Sequence, residues 1–167
     1  NDGSPFSGTW TENGVGSTVS SSDMAKLGDF DLDGDLDIVS VDKAGNGDVD
    51  VWQNDGTPFS GTWSQTSVGS STTALAHVEV GDLDNDGDLD IAVATYSAED
   101  YDVIVWENTL IHRNAPFSGG TNIATDADVA RSVFAADLDN DGDIDIISAS
   151  TNDDTIAWYE NDGASNP

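Results

Sequence analysis

Short apolar runs recur along this chain, and none has helical spacing. Ile38-Val39-Ser40-Val41, Ile91-Ala92-Val93-Ala94 and Ile146-Ile147-Ser148-Ala149 are runs of branched and small residues bounded by turn formers. That is the signature of a strand. The runs are apolar or small on both faces, so the sheet is expected to lie between neighbours, with no wet side. A second strand is predicted at Val49–Trp52, Val103–Trp106 and Thr155–Trp158. A third covers the pieces ending at Leu27, Val80 and Ala135. A fourth is predicted at Gly8-Thr9-Trp10, at Gly61-Thr62-Trp63 and, more weakly, near Thr121. No stretch combines an apolar stripe with helix caps. The chain reads as all-β.

These elements return at a fixed distance. An acidic run reads DFDLDGDLD at 29–37, DLDNDGDLD at 82–90 and DLDNDGDID at 137–145, at offsets of 53 and 55 residues. PFSGTW at 5–10 returns at 58–63 and as PFSGGT at 116–121; VWQNDG at 51–56 returns as VWENTL at 105–110 and WYENDG at 158–163. The 167 residues therefore form a single array, with repeat 1 at about 5–57, repeat 2 at about 58–115 and repeat 3 at about 116–167. Four short strands in about 50 residues is the size of one propeller blade. The expected architecture is a β-propeller-type array of three four-stranded antiparallel blades. Asn1-Asp2-Gly3-Ser4-Pro5 echoes Asn54-Asp55-Gly56-Thr57-Pro58, and Asn161-Asp162-Gly163 begins the same motif again. This suggests whole periods of a longer array, or a unit that joins head to tail. Three blades are fewer than a ring needs, and open sheet edges are normally covered. The expected partners are other copies of the chain or further repeats, in a ring or a filament.

The acidic run has the spacing of a coordination loop. In D-x-D-x-D-G-D-x-D, carboxylates at positions 1, 3 and 5 converge if the backbone coils, and glycine at position 6 permits the turn. A backbone carbonyl at position 7 and a carboxylate at position 9 complete about six or seven oxygens, the shell of Ca²⁺. Borderline metals would ask for His or Cys. The predicted side-chain ligands are Asp29, Asp31, Asp33 and Asp37 in loop 1, with Asp35 offering its carbonyl. In loop 2 they are Asp82, Asp84, Asp86 and Asp90, with Asp88 at the carbonyl position. In loop 3 they are Asp137, Asp139, Asp141 and Asp145, with Asp143 at the carbonyl position. Three Ca²⁺ sites are expected, around Gly34, Gly87 and Gly142. An EF-hand would need Glu at position 12, where Ser40, Val93 and Ser148 stand.

Composition narrows the function. The formal net charge is −29, with 33 acidic residues against four basic ones. Nucleic acid is a poor partner for such a surface, and an anionic membrane is disfavoured for the same reason. No apolar run is long enough to span a bilayer. There are no cysteines, which excludes disulfides, thiolate zinc sites and cysteine nucleophiles. Five tryptophans and 37% hydrophobic residues argue for a folded chain.

The DxDxDGDxD loop running into a branched strand, on a period near 54 residues, resembles the FG-GAP/VCBS repeats of integrin-α-like β-propellers. The resemblance rests on GDFDLDGDLDIVS, GDLDNDGDLDIAVAT and ADLDNDGDIDIISAS, with WQNDG and YENDG as the later part of the blade. It implies a four-stranded blade per repeat with Ca²⁺ between its first two strands. The Phe-Gly and Gly-Ala-Pro signatures of the family are missing, and Ala136 stands where Gly28 and Gly81 stand. The functional expectation is a non-enzymatic, calcium-binding structural or adhesive module, extracellular or at the cell surface, assembling head to tail. The alternative is a carbohydrate- or protein-binding, receptor- or lectin-like propeller domain, free-standing or accessory to an enzyme, with Trp10 and Trp63 as sugar-stacking candidates. No hydrolase or phosphate-loop motif is present.

Overall fold

A computed structural model describes residues 12–16, 22–43, 47–59, 62–71, 73–96, 102–109, 117 and 119–163. They form eleven strands and, among the described residues, no helix. β1 (Ser22–Gly28), β2 (Asp37–Asp42), β3 (Asp48–Gln53) and β4 (Ser64–Ser70) make the first antiparallel sheet, in that order. β5 (Leu75–Gly81), β6 (Asp90–Thr95), β7 (Val103–Trp106) and β8 (Thr121–Ala124) make the second. β9 (Ala130–Ala136), β10 (Asp145–Ser150) and β11 (Ile156–Tyr159) make the third. Consecutive strands are neighbours throughout, so each sheet is a simple meander.

The first three predicted strands of each repeat are present to within a few residues. The fourth differs. It begins at Ser64, after Gly61-Thr62-Trp63, and it pairs with β3 of the preceding repeat. Sheets and sequence repeats are thus out of phase by one strand. Repeat 2 supplies the fourth strand of sheet 1, and repeat 3 supplies that of sheet 2. Sheet 3 therefore holds three strands among the described residues, where four were expected. The predicted strand at Gly8–Trp10 lies outside the described residues. The described sheets form an open stack and close no ring.

The sheets stack face to face in chain order, β1 and β2 against β5, and β5 and β6 against β9. Alternation along β6 shows why its residues are apolar on both sides. Ile91 and Val93 face sheet 1 in a cluster with Val39, Val41, Val49 and Val51. Ala92 and Ala94 face sheet 3 in a cluster with Val133 and Ile146. Every residue of β6 is buried. The three described cations tie sheets together. Lys26 Nζ lies 2.9 Å from Glu79 Oε2 across sheets 1 and 2. Arg131 of sheet 3 stacks 4.0 Å from the ring centre of Tyr96, which Lys43 of sheet 1 also approaches.

Tryptophan packing explains several glycines. Trp52 and Trp106 are 6% and 3% exposed, which favours packing over ligand stacking. A Cβ on Gly69 of β4 would lie 2.6 Å from Trp106 Nε1, and one on Gly16 would lie 2.0 Å from Trp52 Cζ3. Backbone must approach these rings closely, and only glycine allows it. Gly69→Val is expected to lower stability by about 1–3 kcal/mol through overpacking. Urea denaturation followed by tryptophan fluorescence would measure this, and an unchanged midpoint would contradict the packing.

Candidate metal centres

Each acidic run coils as its spacing requires. Gly34, Gly87 and Gly142 have φ of 95°, 100° and 103°, a region that disfavours any side chain. Position 4 is also left-handed, at Leu32, Asn85 and Asn140; asparagine tolerates this better than leucine. The coil is held by its own carboxylates. Asp29 Oδ1 accepts the Asp33 amide at 3.1 Å and its Oδ2 accepts the Gly34 amide at 3.0 Å. Asp82 does the same for Asp86 and Gly87 at 3.0 and 3.1 Å. In loop 3, Asp137 accepts the Gly142 amide at 3.3 Å and Asp139 the Asp141 amide at 3.2 Å.

The result is three carboxylate triplets: Asp29, Asp31 and Asp33; Asp82, Asp84 and Asp86; Asp137, Asp139 and Asp141. In each, one oxygen per residue lies within 4.8 Å of the others. The donor set is all oxygen, which fits a hard divalent cation and not a thiophilic one. The middle carboxylates, Asp31, Asp84 and Asp139, have pKa values raised above the ordinary range, by lost hydration first and then by their acidic neighbours. A bound cation relieves both costs. One residue of the triplet is exposed in loop 1 and one in loop 2, whereas all three residues of loop 3 are exposed.

Positions 7 and 9 stand outside the triplets. The position-7 carboxylates of Asp35 and Asp143 point at the Asn-Asp-Gly turn that follows the sheet's third strand. A Cβ on Gly56 would meet Asp35 Oδ2 at 2.8 Å, and one on Gly163 would meet Asp143 Oδ2 at 2.2 Å. Asp88 is fully buried. Position 9 is a bracket. Asp37 accepts the amides of Phe30 (2.9 Å) and Asn54 (2.8 Å), one on each oxygen. Asp90 accepts those of Leu83 (2.8 Å) and Asn108 (2.7 Å). Asp145 accepts those of Leu138 (3.0 Å) and Asn161 (2.9 Å). All three carboxylates are at most 1% exposed. Burial pushes Asp90 up to about 7. Asp145 is held below the usual range, chiefly by the Asn161 amide. Each oxygen retains a second lone pair, so the bracket is compatible with ligation.

Three asparagines belong to this site although sequence reading passed over them. Asn108 Nδ2 of sheet 2 donates to the Phe30 carbonyl in loop 1 at 3.0 Å. Asn161 Nδ2 of sheet 3 donates to the Leu83 carbonyl in loop 2 at 2.6 Å. Loops 1 and 2 are thus each buttressed by the next sheet. The available signal was Asn54, Asn108 and Asn161 persisting on the repeat period while their neighbours change. Next to them, Gln53 donates to Asp31 Oδ2 at 3.1 Å, and Glu107 is close enough to Asp84 to raise its pKa.

The remaining candidate chemistry is structural. His77 accepts the Val133 amide at 3.4 Å and packs 5.8 Å from the Phe134 ring; burial lowers its pKa. His112 and Trp10 lie outside the described residues. Residues 29–93 match the family model of the FG-GAP-like repeat, a stretch that spans loop 1, β2 to β5, loop 2 and most of β6. No curated protein matches the chain.

Proposed function

We propose that this chain, which carries an FG-GAP-like repeat over residues 29–93, is a non-enzymatic, calcium-held structural repeat module. It acts outside the cell or at its surface, where calcium is abundant, and it joins further repeats of its own kind. The observation that carries the reading is the triple recurrence of one carboxylate coil, in register, on adjacent sheets. Calcium supplies positive charge at each triplet. Three ions add six charges and bring the formal −29 to about −23. The triplets form the core of each site, with the carbonyls of Asp35, Asp88 and Asp143 and the ninth-position carboxylates completing the shell as the coil tightens.

The support is chemical and positional. Each loop lies between the first two strands of its sheet, and loops 1 and 2 are also tied to the next sheet by asparagine. A cation there holds strand to strand and sheet to sheet. Nucleic acid requires a basic patch, and the chain has four cations in all, of which the described Lys26, Lys43 and Arg131 are engaged in contacts between sheets.

Calorimetric titration of the metal-free chain should count three calcium ions. Loops 1 and 2, buttressed by a following sheet, should bind more tightly than loop 3. Magnesium should bind more weakly, because it demands a smaller, stricter octahedron. A stoichiometry of zero would overturn the reading.

A further inference from the structure

The open tail of sheet 3 and the open head of sheet 1 are the two halves of a junction that the chain already makes twice internally. On the tail side, equivalent positions are covered in sheets 1 and 2 and bare in sheet 3. Val49 and Val103 are fully buried, while Ile156 is 80% exposed. Val51 is buried and Val105 is packed in the core, while Trp158 is 46% exposed. Phe30 and Leu83 pack on the sheet that follows, while Leu138 is 48% exposed.

The head of sheet 1 shows the complementary pattern. Val80 and Ala135 pack against the preceding sheet; their equivalent, Leu27, is 59% exposed. Leu89 and Ile144 reach over Gly28 and Gly81 of the preceding sheet; their equivalent, Leu36, is 57% exposed. Asn161 spends its side-chain nitrogen on two carbonyls, its own Ile144 at 3.3 Å and Leu83 of the preceding loop at 2.6 Å. Among the described residues Asn54 makes only the first of these bonds, to Leu36 at 3.3 Å. The Leu138 carbonyl has no asparagine from a following sheet among the described residues.

One more element matches. Residues 9–17 (TWTENGVGS) repeat 62–70 (TWSQTSVGS), the segment that becomes β4. Gly16 lies over Trp52 as Gly69 of β4 lies over Trp106. Segment 12–16 therefore sits against sheet 1 where the fourth strand of a preceding sheet would sit. β11 has a free outer edge among the described residues.

We infer that a second copy of this chain covers the tail of sheet 3 with the head of its sheet 1, head to tail. Segment 12–16 of that copy adds to β11 as the fourth strand, and its Asn54 donates to the Leu138 carbonyl. The register follows from β3–β4 pairing, where Trp52 faces Gln65 and Val51 faces Thr66. By equivalence Tyr159 faces Glu12 and Trp158 faces Asn13 of the second copy. The occupant is a copy of this chain because the face needs the residues its own head presents: an asparagine whose described side-chain bonds stay within its own sheet and turn, two exposed leucines and a strand-four segment already in place. The contact is heterologous, so it propagates or closes as a ring. It also buttresses loop 3 as loops 1 and 2 are buttressed, which links assembly to calcium by reciprocity. This rests on the structural-repeat reading above.

Light scattering and sedimentation of the 167-residue chain, in calcium at about 0.15 M salt where net charge is screened, test it. The expected masses are multiples of 17.4 kDa, growing with concentration. Leu27→Glu blocks the head and Ile156→Glu blocks the tail; both sites are exposed, so each variant should melt like the parent monomer. Each alone should be monomeric, and a mixture should form a one-to-one dimer through the single intact junction. A wild-type mass fixed at 17.4 kDa up to about 1 mM chain overturns the inference. So does self-association of either variant alone, or a mixture that stays monomeric. Calcium counting on the same samples separates the two ideas: three bound ions with no assembly refutes the junction and leaves the calcium reading standing.

Discussion

Stripping calcium from the chain is expected to lower its unfolding temperature by roughly 15–30 °C. A ligand that binds only the folded state stabilises it by about 2.7 kcal/mol when present at 100 times its dissociation constant. Millimolar calcium meets that condition for a site near 10⁻⁵ M, within the range of oxygen-ligand loops (about 10⁻⁷–10⁻³ M). Three such sites contribute about 8 kcal/mol together, and for a domain of this size 1 kcal/mol moves the midpoint by about 2–4 °C. The physical source is the crowding of carboxylates. Asp31, Asp84 and Asp139 are already raised in pKa by desolvation and by their neighbours, so the metal-free fold carries repulsion that a bound divalent cation would cancel. Scanning calorimetry before and after chelation, with metal content checked, makes the measurement. An unchanged melt in verified metal-free protein would sink the calcium reading. Replacing Asp82 and Asp86 with Ala together should remove one ion and about a third of the shift, because their triplet is separate from the other two.

Acidification of the metal-free chain from pH 8 to pH 5 raises its stability, against the usual behaviour of carboxylate-rich proteins. Asp90 is 1% exposed and its pKa is pushed up to about 7, mainly by burial. In the unfolded chain the same group titrates near 3.8. A raised folded-state pKa means that the stabilising contribution is fully present below the unfolded value and is lost as pH rises through about 7. The difference corresponds to roughly 4 kcal/mol between the two limits. Asp31, Asp84 and Asp139 act in the same direction. Asp145 acts in the opposite one, but its lowered pKa confines that loss to pH below the ordinary carboxylate range. His77, whose pKa burial lowers, also opposes the gain as pH falls through the ordinary histidine value, and the large shift of Asp90 outweighs it. Calcium reverses the trend, because ionised carboxylates bind it better and its binding falls as pH drops. Urea unfolding at several pH values, with and without calcium, should give profiles of opposite slope. Asp90→Asn should flatten the metal-free profile while losing one bracket bond, since an amide nitrogen cannot accept one of the two backbone N–H groups at 2.8 and 2.7 Å. A metal-free chain less stable at pH 5 than at pH 8 would refute this assignment.

The site was legible in part. Spacing alone predicted that positions 1, 3 and 5 converge around a left-handed glycine, and the triplets and the φ values of Gly34, Gly87 and Gly142 agree. These features are local, since every contact involved lies within nine residues. Asp37, Asp90 and Asp145 were read as ligands; their two oxygens also tie the loop start to a turn 16 to 18 residues further on, at Asn54, Asn108 and Asn161. The latch from Asn161 to Leu83 spans 78 residues. Neither contact has a local signature, because a sequence repeat shows what recurs and not what it touches.

By itself the sequence determined the all-β class, the period, the first three strands of each sheet and the coil of each acidic loop. All follow from side-chain alternation, turn chemistry and short-range sterics, which act over a few residues. Tertiary structure decided where the fourth strand begins and what it pairs with: β4 and β8 join the sheet of the preceding repeat, so that sheet 3 holds three strands among the described residues. It also decided that Trp52 and Trp106 are sealed by glycine backbones while Trp158 faces outward. Those outcomes depend on which face meets which, and facing is set by packing between sheets far apart along the chain.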